Sequence, residues 1–399
     1  MNPQQTGVNG QNPTARTKAL RFILLIGAVS FFADFTYEGS RSIVGPYLAQ
    51  LGASGAAVGI IAGFGELLGY ALRLVSGRLS ERTGKFWPIM LFGYFIQLLS
   101  VPLLALAGSW QVAALLIVVE RIGKATRNPP RDVMLSHATK EIGYGWGFGI
   151  HEALDQCGAL VGPLAVAVVL ARRGEFPTAF AMLLIPALFA LGILVVARLL
   201  YPRPEEMEVH TPDLHATGLP RDFWIYLAGA ALVGAGFVDF SLMSYHFQKV
   251  AAVPETWIPI FYAAAMGAGG LGSLLFGRLF DRAGIIILVP LTAVAALFVP
   301  LVFLGGFWLA LLGCILWGLG MGVHESIIPA AVAPMVPSER RASAYGLFTA
   351  GYGVFWFLGS VVIGVLYDVS LPGLIAFSIV TELAAVPLFI LVRRQAGKQ

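Results

Sequence analysis

Charge is scarce in this chain. Only 12% of its 399 residues are Asp, Glu, Lys or Arg, against 57% hydrophobic residues. A soluble domain carries about 25% charged residues, and no soluble fold of this length could hide so much apolar surface. The solvent for most side chains is therefore expected to be lipid. Cysteine is rarer still. Cys157 and Cys314 both lie inside apolar runs and read as small core residues, not as a disulfide or metal pair. The six histidines and two cysteines show no metal-ligand spacing, so no metal site is expected. A phosphate loop of the form G-x-x-x-x-G-K-(S/T) is also missing, which argues against direct use of ATP. No enzyme site and no cofactor are expected. The net charge of +4 does not imply nucleic acid, because the basic residues sit in short loops between apolar runs. Met1 to Thr17 is polar and has no signal-peptide pattern.

What is present is a recurring apolar run of membrane length. A helix needs about 20 residues to cross about 30 Å of hydrocarbon. Such runs fall near 21–49, 56–79, 86–107, 111–136, 144–170 and 177–200, then 223–249, 257–278, 285–304, 308–335, 342–367 and 373–393. The expectation is an all-α integral membrane protein with twelve transmembrane helices in two pseudo-symmetric six-helix halves, 21–200 and 223–394. A cytoplasmic tail over 1–20, a cytoplasmic linker over 201–222 and a short tail over 395–399 complete the organisation. The linker holds Pro202, Pro204, Glu205, Glu206, Glu208, Asp213 and Pro220. With both ends cytoplasmic, the inner segments carry most of the basic residues, among them Arg78, Arg82, Lys85, Arg131, Arg198, Arg282, Arg340 and Arg393. The outer loops carry only Arg172, Arg173 and Lys249. This skew follows the positive-inside rule. The short loops suggest a bacterial inner membrane.

The two halves repeat. Gly77-Arg78-Leu79-Ser80-Glu81-Arg82-Thr83-Gly84 follows the second run, and Gly277-Arg278-Leu279-Phe280-Asp281-Arg282-Ala283-Gly284 follows the eighth, 200 residues later. Asp34-Phe35 matches Asp239-Phe240 near the same offset, and Pro130 matches Pro329, each seven residues past a glycine (Gly123, Gly322). Two like-oriented halves of this kind mark a transporter architecture. With its loop G-x-x-x-(D/E)-R-x-G-(R/K) at Gly77 to Lys85, the chain resembles the major facilitator superfamily over nearly its whole length. The second copy departs from the pattern by ending in Ile285. The resemblance implies that Gly77, Arg78, Glu81, Arg82, Gly84 and Lys85, with Asp281 and Arg282, form a latch between inward and outward states. The residues alone allow a plainer reading, a turn that Gly84 and Gly284 permit and cations seated among anionic headgroups.

Ionisable residues at membrane depth are costly and mark function by default. Asp34, Tyr37, Glu38 and Arg41 share one face of the first run, and Glu38 and Arg41 could pair along it. They form either a self-neutralised patch or a cavity face. Glu66 lies mid-run among Gly63, Gly65 and Gly69. The fourth run carries Glu120, Arg121, Lys124 and Arg127, and Pro129 and Pro130 are expected to break it near its cytoplasmic end. The resemblance assigns proton coupling to a basic residue on this helix, for which Arg121 is the match and Lys124 and Arg127 compete. On the fifth run Glu152 and Asp155 share a face beside His151. A low-dielectric cavity favours a carboxylate's neutral form, so such groups can load and release a proton near neutrality. Gly158-x-x-x-Gly162-Pro163 supplies a small-residue face and a kink, and resembles an element of the superfamily's drug/proton antiporters. The second half offers Asp239, His246, His324, Glu325 and Glu382. A lone histidine on an apolar face is more often a bonded core residue than a ligand.

The function expected is secondary transport of a small organic solute, proton-coupled and outward, by a monomer in contact with membrane lipids. Uptake by symport, or carriage of an anionic metabolite held by Arg41 and Arg121, stands as the alternative. A channel or a membrane-embedded enzyme fits the repeat less well.

Overall fold

The computed structural model describes residues 13–140, 144–202, 219–328, 331–332, 335–336 and 341–396. Among these residues every regular element is helical. The long helices of the first part are α1 (Pro13–Gln50), α2 (Gly55–Thr83), α3 (Phe86–Leu103), α4 (Trp110–Lys140) and α5 (Tyr144–Arg173), followed by α6 (Phe176–Met182) and α7 (Leu184–Leu200). After the linker come α8 (Arg221–Gly236), α9 (Phe240–Val250), α10 (Ile258–Ala283), α11 (Leu288–Ala295), α12 (Phe298–Leu304), α13 (Phe307–Gly322), α14 (Arg341–Val369) and α15 (Leu371–Ala396).

Nine stretches among the described residues are long and apolar enough to cross a membrane. The sequence runs outnumber them for physical reasons. The eighth and ninth runs join into one apolar stretch, Glu255–Leu304, and α13 at Phe307–Gly322 is apolar but shorter. Helix α4 carries Glu120, Arg121, Lys124 and Arg127, which lower its hydropathy. The outer surface suits lipid: Leu106, Leu199, Trp308 and Val369 are each at least 74% exposed.

Helix ends follow local chemistry. Ser54 caps α2 by accepting a bond from the Ala57 amide at 3.1 Å. Gly84 ends α2 in the left-handed region at φ 64°, and Gly284 ends α10 at φ 66°. A side chain is strained there, which accounts for the glycine in both copies of the loop. The expected break at Pro129 and Pro130 does not occur; α4 runs through both. A proline at 129 leaves the Ala125 carbonyl without its helical donor, and the Ser76 hydroxyl of α2 donates to it instead, at 2.9 Å. The reverse holds for the seventh run, expected unbroken over 223–249. It is interrupted at Phe237–Asp239, with extended backbone at Phe237 and Asp239. The freed groups are paired: Trp317 donates to the Val238 carbonyl at 2.9 Å, and Ser378 donates to the Gly236 carbonyl.

Helix α5 packs on α1 at backbone distance. A Cβ at Gly158 or Gly162 would strike the carbonyl of Phe31 or Phe35, so the small-residue face serves close approach. The most extensive packing between helices before residue 203 and helices after residue 218 is α1 with α9, α2 with α14, and α5 with α10. At the end of the bundle holding the 51–54 turn, these seams are tight. Tyr245 donates to the Ala53 carbonyl at 2.9 Å, and Asp368 accepts from the Gly55 and Ala56 amides at 2.9 and 2.8 Å. Asp368 thereby caps the N-terminus of α2 from α14. A cavity lies deeper, between the two groups of helices.

Candidate functional site

The cavity has a volume of about 360 Å3 and is lined from both groups of helices. The face of α1 predicted by spacing forms one wall, with Asp34, Tyr37, Glu38 and Arg41 all lining it. The partners are not those the helix offers. Glu38 and Arg41 do not pair with each other. Arg41 reaches Asp239 at 3.0 Å and Glu66 at 3.6 Å. Glu38 accepts from the Tyr262 hydroxyl of α10 and lies 4.0 Å from Lys124. Side chains from elements far apart in the chain meet these charges better than a neighbour one turn away.

Arg121 sits 3.0 Å from Glu66 and 3.7 Å from Glu120, with its guanidinium over the Tyr37 ring. Lys124 lies 3.5 Å above the same ring, a favourable cation–π position. Arg127, the third base on α4, is fully buried behind the cavity. It holds Asp34 at 3.3 Å and the Tyr94 hydroxyl at 2.9 Å, and donates to Gln97. Of the three competing bases, Arg121 and Lys124 line the cavity and Arg127 fixes Asp34. A buried cation needs this many partners to offset lost hydration.

Glu152, Asp155 and Gln156 line the cavity from α5, and the Gln156 Oε1 lies beside Gly270 of α10. Gln156 donates to Glu152 at 3.0 Å. Neither carboxylate forms an ion pair among the described residues, and one Asp155 oxygen is buried without a hydrogen-bond partner. Thus Asp34, Glu38, Glu66, Glu152 and Asp155 meet in one space.

Other expected residues fall elsewhere. His151 is buried against Ser30 at 2.7 Å and does not line the cavity. His246 pairs with the Tyr367 hydroxyl at 3.0 Å, also off the cavity. Asp239 does not line the cavity but pairs with Arg41, which does, and it caps α9 by accepting from the Ser241 amide at 2.8 Å. The Glu325 side chain lies outside the described residues; its neighbour His324 does line the cavity. Glu382 is fully buried on α15 against Gly236, beside Ser378, and forms no ion pair among the described residues. In the loop, Arg78, Arg82, Lys85, Asp281 and Arg282 are exposed and form no ion pair among the described residues. Gly77 faces Pro129 at 3.6 Å, and the Glu81 side chain lies outside the described residues. No group of three or more His, Cys, Asp or Glu suited to a metal is found among the described residues.

Most of the second wall was missed from the sequence. His324, singled out on the tenth run, lines it together with Tyr70, Met266, Met321 and Trp356. The other four sit in apolar runs and carry no charge to separate them from lipid-facing neighbours. The aromatic spacing Tyr352 to Trp356, one helical turn on α14, was the available signal.

The arrangement can bind a polar solute between two groups of helices and carry protons on carboxylates beside it. The profile of the Major Facilitator Superfamily matches residues 24–360. An uncharacterized protein of Mycobacterium tuberculosis is 41% identical over 382 residues, covering 94% of this chain and 93% of the relative. An uncharacterized MFS-type transporter of Methanocaldococcus jannaschii is 24% identical over 365 residues, covering 87% and 89%. Among solved structures, a mutant of the nucleoside transporter NupG superposes with a TM-score of 0.77 at 16% identity, covering 92% of this chain and all of that one. A POT family transporter in complex with 5-aminolevulinic acid gives 0.73 at 13% identity, covering 95% and 96%. At these identities the solved structures establish the shared fold alone.

Proposed function

This chain belongs to the Major Facilitator Superfamily, a family of secondary transporters, and on that premise we propose that it exports a small organic solute in exchange for protons. The observation that carries this reading is the meeting of Asp34, Glu38, Glu152 and Asp155 in one cavity. A cavity that alternately faces each side of a membrane must neutralise such charges in part of its cycle. Two of the four, Asp34 and Glu38, have basic neighbours in this state. The other two are left for a proton or a solute. Competition between proton and solute for the same carboxylates is what antiport requires.

The architecture accompanying this reading is twelve spans in two six-helix halves, joined by a cytoplasmic linker, with both termini on the same side. The seams sealed by Tyr245 and Asp368 then form the outer closure, and the cavity belongs to a state closed to the outside. Carriage of an anionic metabolite is less well supported, because Arg41 and Arg121 are already engaged by Asp239, Glu66 and Glu120.

The test uses protein reconstituted in liposomes with an imposed pH gradient. A thermal-shift screen against metabolites and drugs first supplies a transported solute, since a ligand stabilises the fold by mass action. At least one of the amide variants at Asp34, Glu38, Glu152 and Asp155 is expected to lose gradient-driven accumulation and keep solute exchange. If all four accumulate solute like the parent protein, the carboxylates of α1 and α5 do not carry the proton.

A further inference from the structure

The two walls of the cavity differ in kind. On the α5–α10 seam, Glu152 and Asp155 face the space and form no ion pair among the described residues, where one Asp155 oxygen also has no hydrogen-bond partner. The other carboxylates there are matched: Asp34 by Arg127, Glu38 by Lys124 and Tyr262, Glu66 by Arg121 and Arg41. Among the described residues, Arg73 is the base on the lining that forms no ion pair; it is exposed and lies over the Tyr70 ring. The surplus charge of the cavity interior is therefore negative and sits on α5.

On the α2–α14 seam the wall is aromatic. Trp356 is 3% exposed, lines the cavity, and its indole N–H has no partner among the described residues. An indole nitrogen can only donate, and a buried donor left unpaired is costly. The ring is held in place rather than free to turn toward another acceptor. It meets Tyr352 at 5.6 Å, His324 at 5.6 Å and Phe237 at 5.8 Å between centroids. His324 is itself fixed by the Tyr352 hydroxyl at 2.9 Å. Met266 and Met321 complete an apolar surface between the two seams. Arg41 also has an unpartnered Nε, but two carboxylates already face that guanidinium.

We propose that the transported solute is an organic cation with two recognised ends: an ammonium group bound by Glu152 and Asp155, and a hydrogen-bond acceptor bound by the Trp356 indole N–H. This rests on the transport reading above and names its substrate class. The apolar body spans the methionine surface, and the whole fits a cavity of about 360 Å3, near the lower end of the about 300–1,000 Å3 usual for small-molecule sites.

The experiment measures thermal stability of the purified full-length protein with three probes at millimolar concentration. Tyramine has an ammonium and a phenol oxygen; phenethylamine lacks the oxygen; 4-hydroxyphenylacetate replaces the ammonium with a carboxylate. Tyramine is expected to stabilise most, phenethylamine less, and 4-hydroxyphenylacetate not at all. Trp356→Phe keeps a ring and removes the donor. It should weaken tyramine by about tenfold and leave phenethylamine unchanged. Glu152→Gln, at an exposed position that folding tolerates, should weaken both amines. Stabilisation by 4-hydroxyphenylacetate equal to that by tyramine, absence of a shift with either amine, or an equal effect of Trp356→Phe on both amines would each overturn the proposal. Binding is scored without a pH gradient. Amine binding without gradient-driven transport would sink the coupling reading and leave this one standing.

Discussion

The seam between α2 and α14 gives the sharpest mechanical prediction. Gly59 of α2 faces the backbone of α14. A Cβ built there would strike the Ser360 carbonyl oxygen and lie 2.9 Å from the Gly364 Cα. Carbon atoms in ordinary contact are about 3.5–4.0 Å apart, so Gly59→Ala must part the helices by about 0.6 Å at that point. Both obstacles are backbone atoms, which cannot rotate aside. Overpacking of this kind costs about 1–3 kcal/mol. In a state where the seam has opened, the cost is absent, so the substitution acts on the equilibrium between states. A bias of that size changes the ratio of open to closed by about 5- to 150-fold. The reporter is Ser244→Cys, a buried position on the separate α1–α9 seam, in a Cys157→Ala background because Cys157 is exposed. Alkylation by a water-soluble maleimide should speed up by about tenfold in Gly59→Ala. The control is Gly192→Ala, where a Cβ meets nothing within 4 Å; labelling there should stay at the parent rate. Equal rates in both variants, with both proteins folded, would refute the claim that this seam closes the cavity.

Three further outcomes follow from the charges. Asp239→Asn leaves Arg41 with Glu66 alone at 3.6 Å, and should cost about 2–3 kcal/mol in denaturation of the purified protein. Glu382→Gln should cost less than that, because no cation among the described residues loses a partner; the reverse order would show that Glu382 has a charged partner. Arg82→Ala should slow transport while solute binding in the thermal-shift assay survives, if the loop from Gly77 to Lys85 is a latch; unchanged transport would reduce it to a turn with surface cations. A cysteine placed at Glu206 should resist labelling from outside intact cells, as a cytoplasmic linker requires, and ready labelling would invert the topology.

Hydropathy is a property of each residue and its neighbours. The sequence alone therefore determined that this is an all-helical membrane chain, roughly where its runs lie, and which residues share the charged face of α1. The same local logic read the repeated loops, because a glycine at positive φ is needed wherever a helix turns back so tightly. It failed where the deciding partner is distant in the chain. Pro129 and Pro130 read as a break, but Ser76, on another helix, supplies the missing donor. The run over 223–249 read as continuous, but the interruption at Phe237–Asp239 is stabilised by Trp317 and Ser378. Glu38 and Arg41 read as a pair one turn apart, yet each bonds to a residue roughly two hundred positions away, Tyr262 and Asp239. Trp356 gave only its one-turn spacing from Tyr352, which does not decide the matter, since an indole in an apolar run looks the same facing lipid or a cavity. Only the tertiary structure decides which way such a ring faces, because the partner that would satisfy its N–H is set by the packing of α14 against α2 and not by the residues beside it.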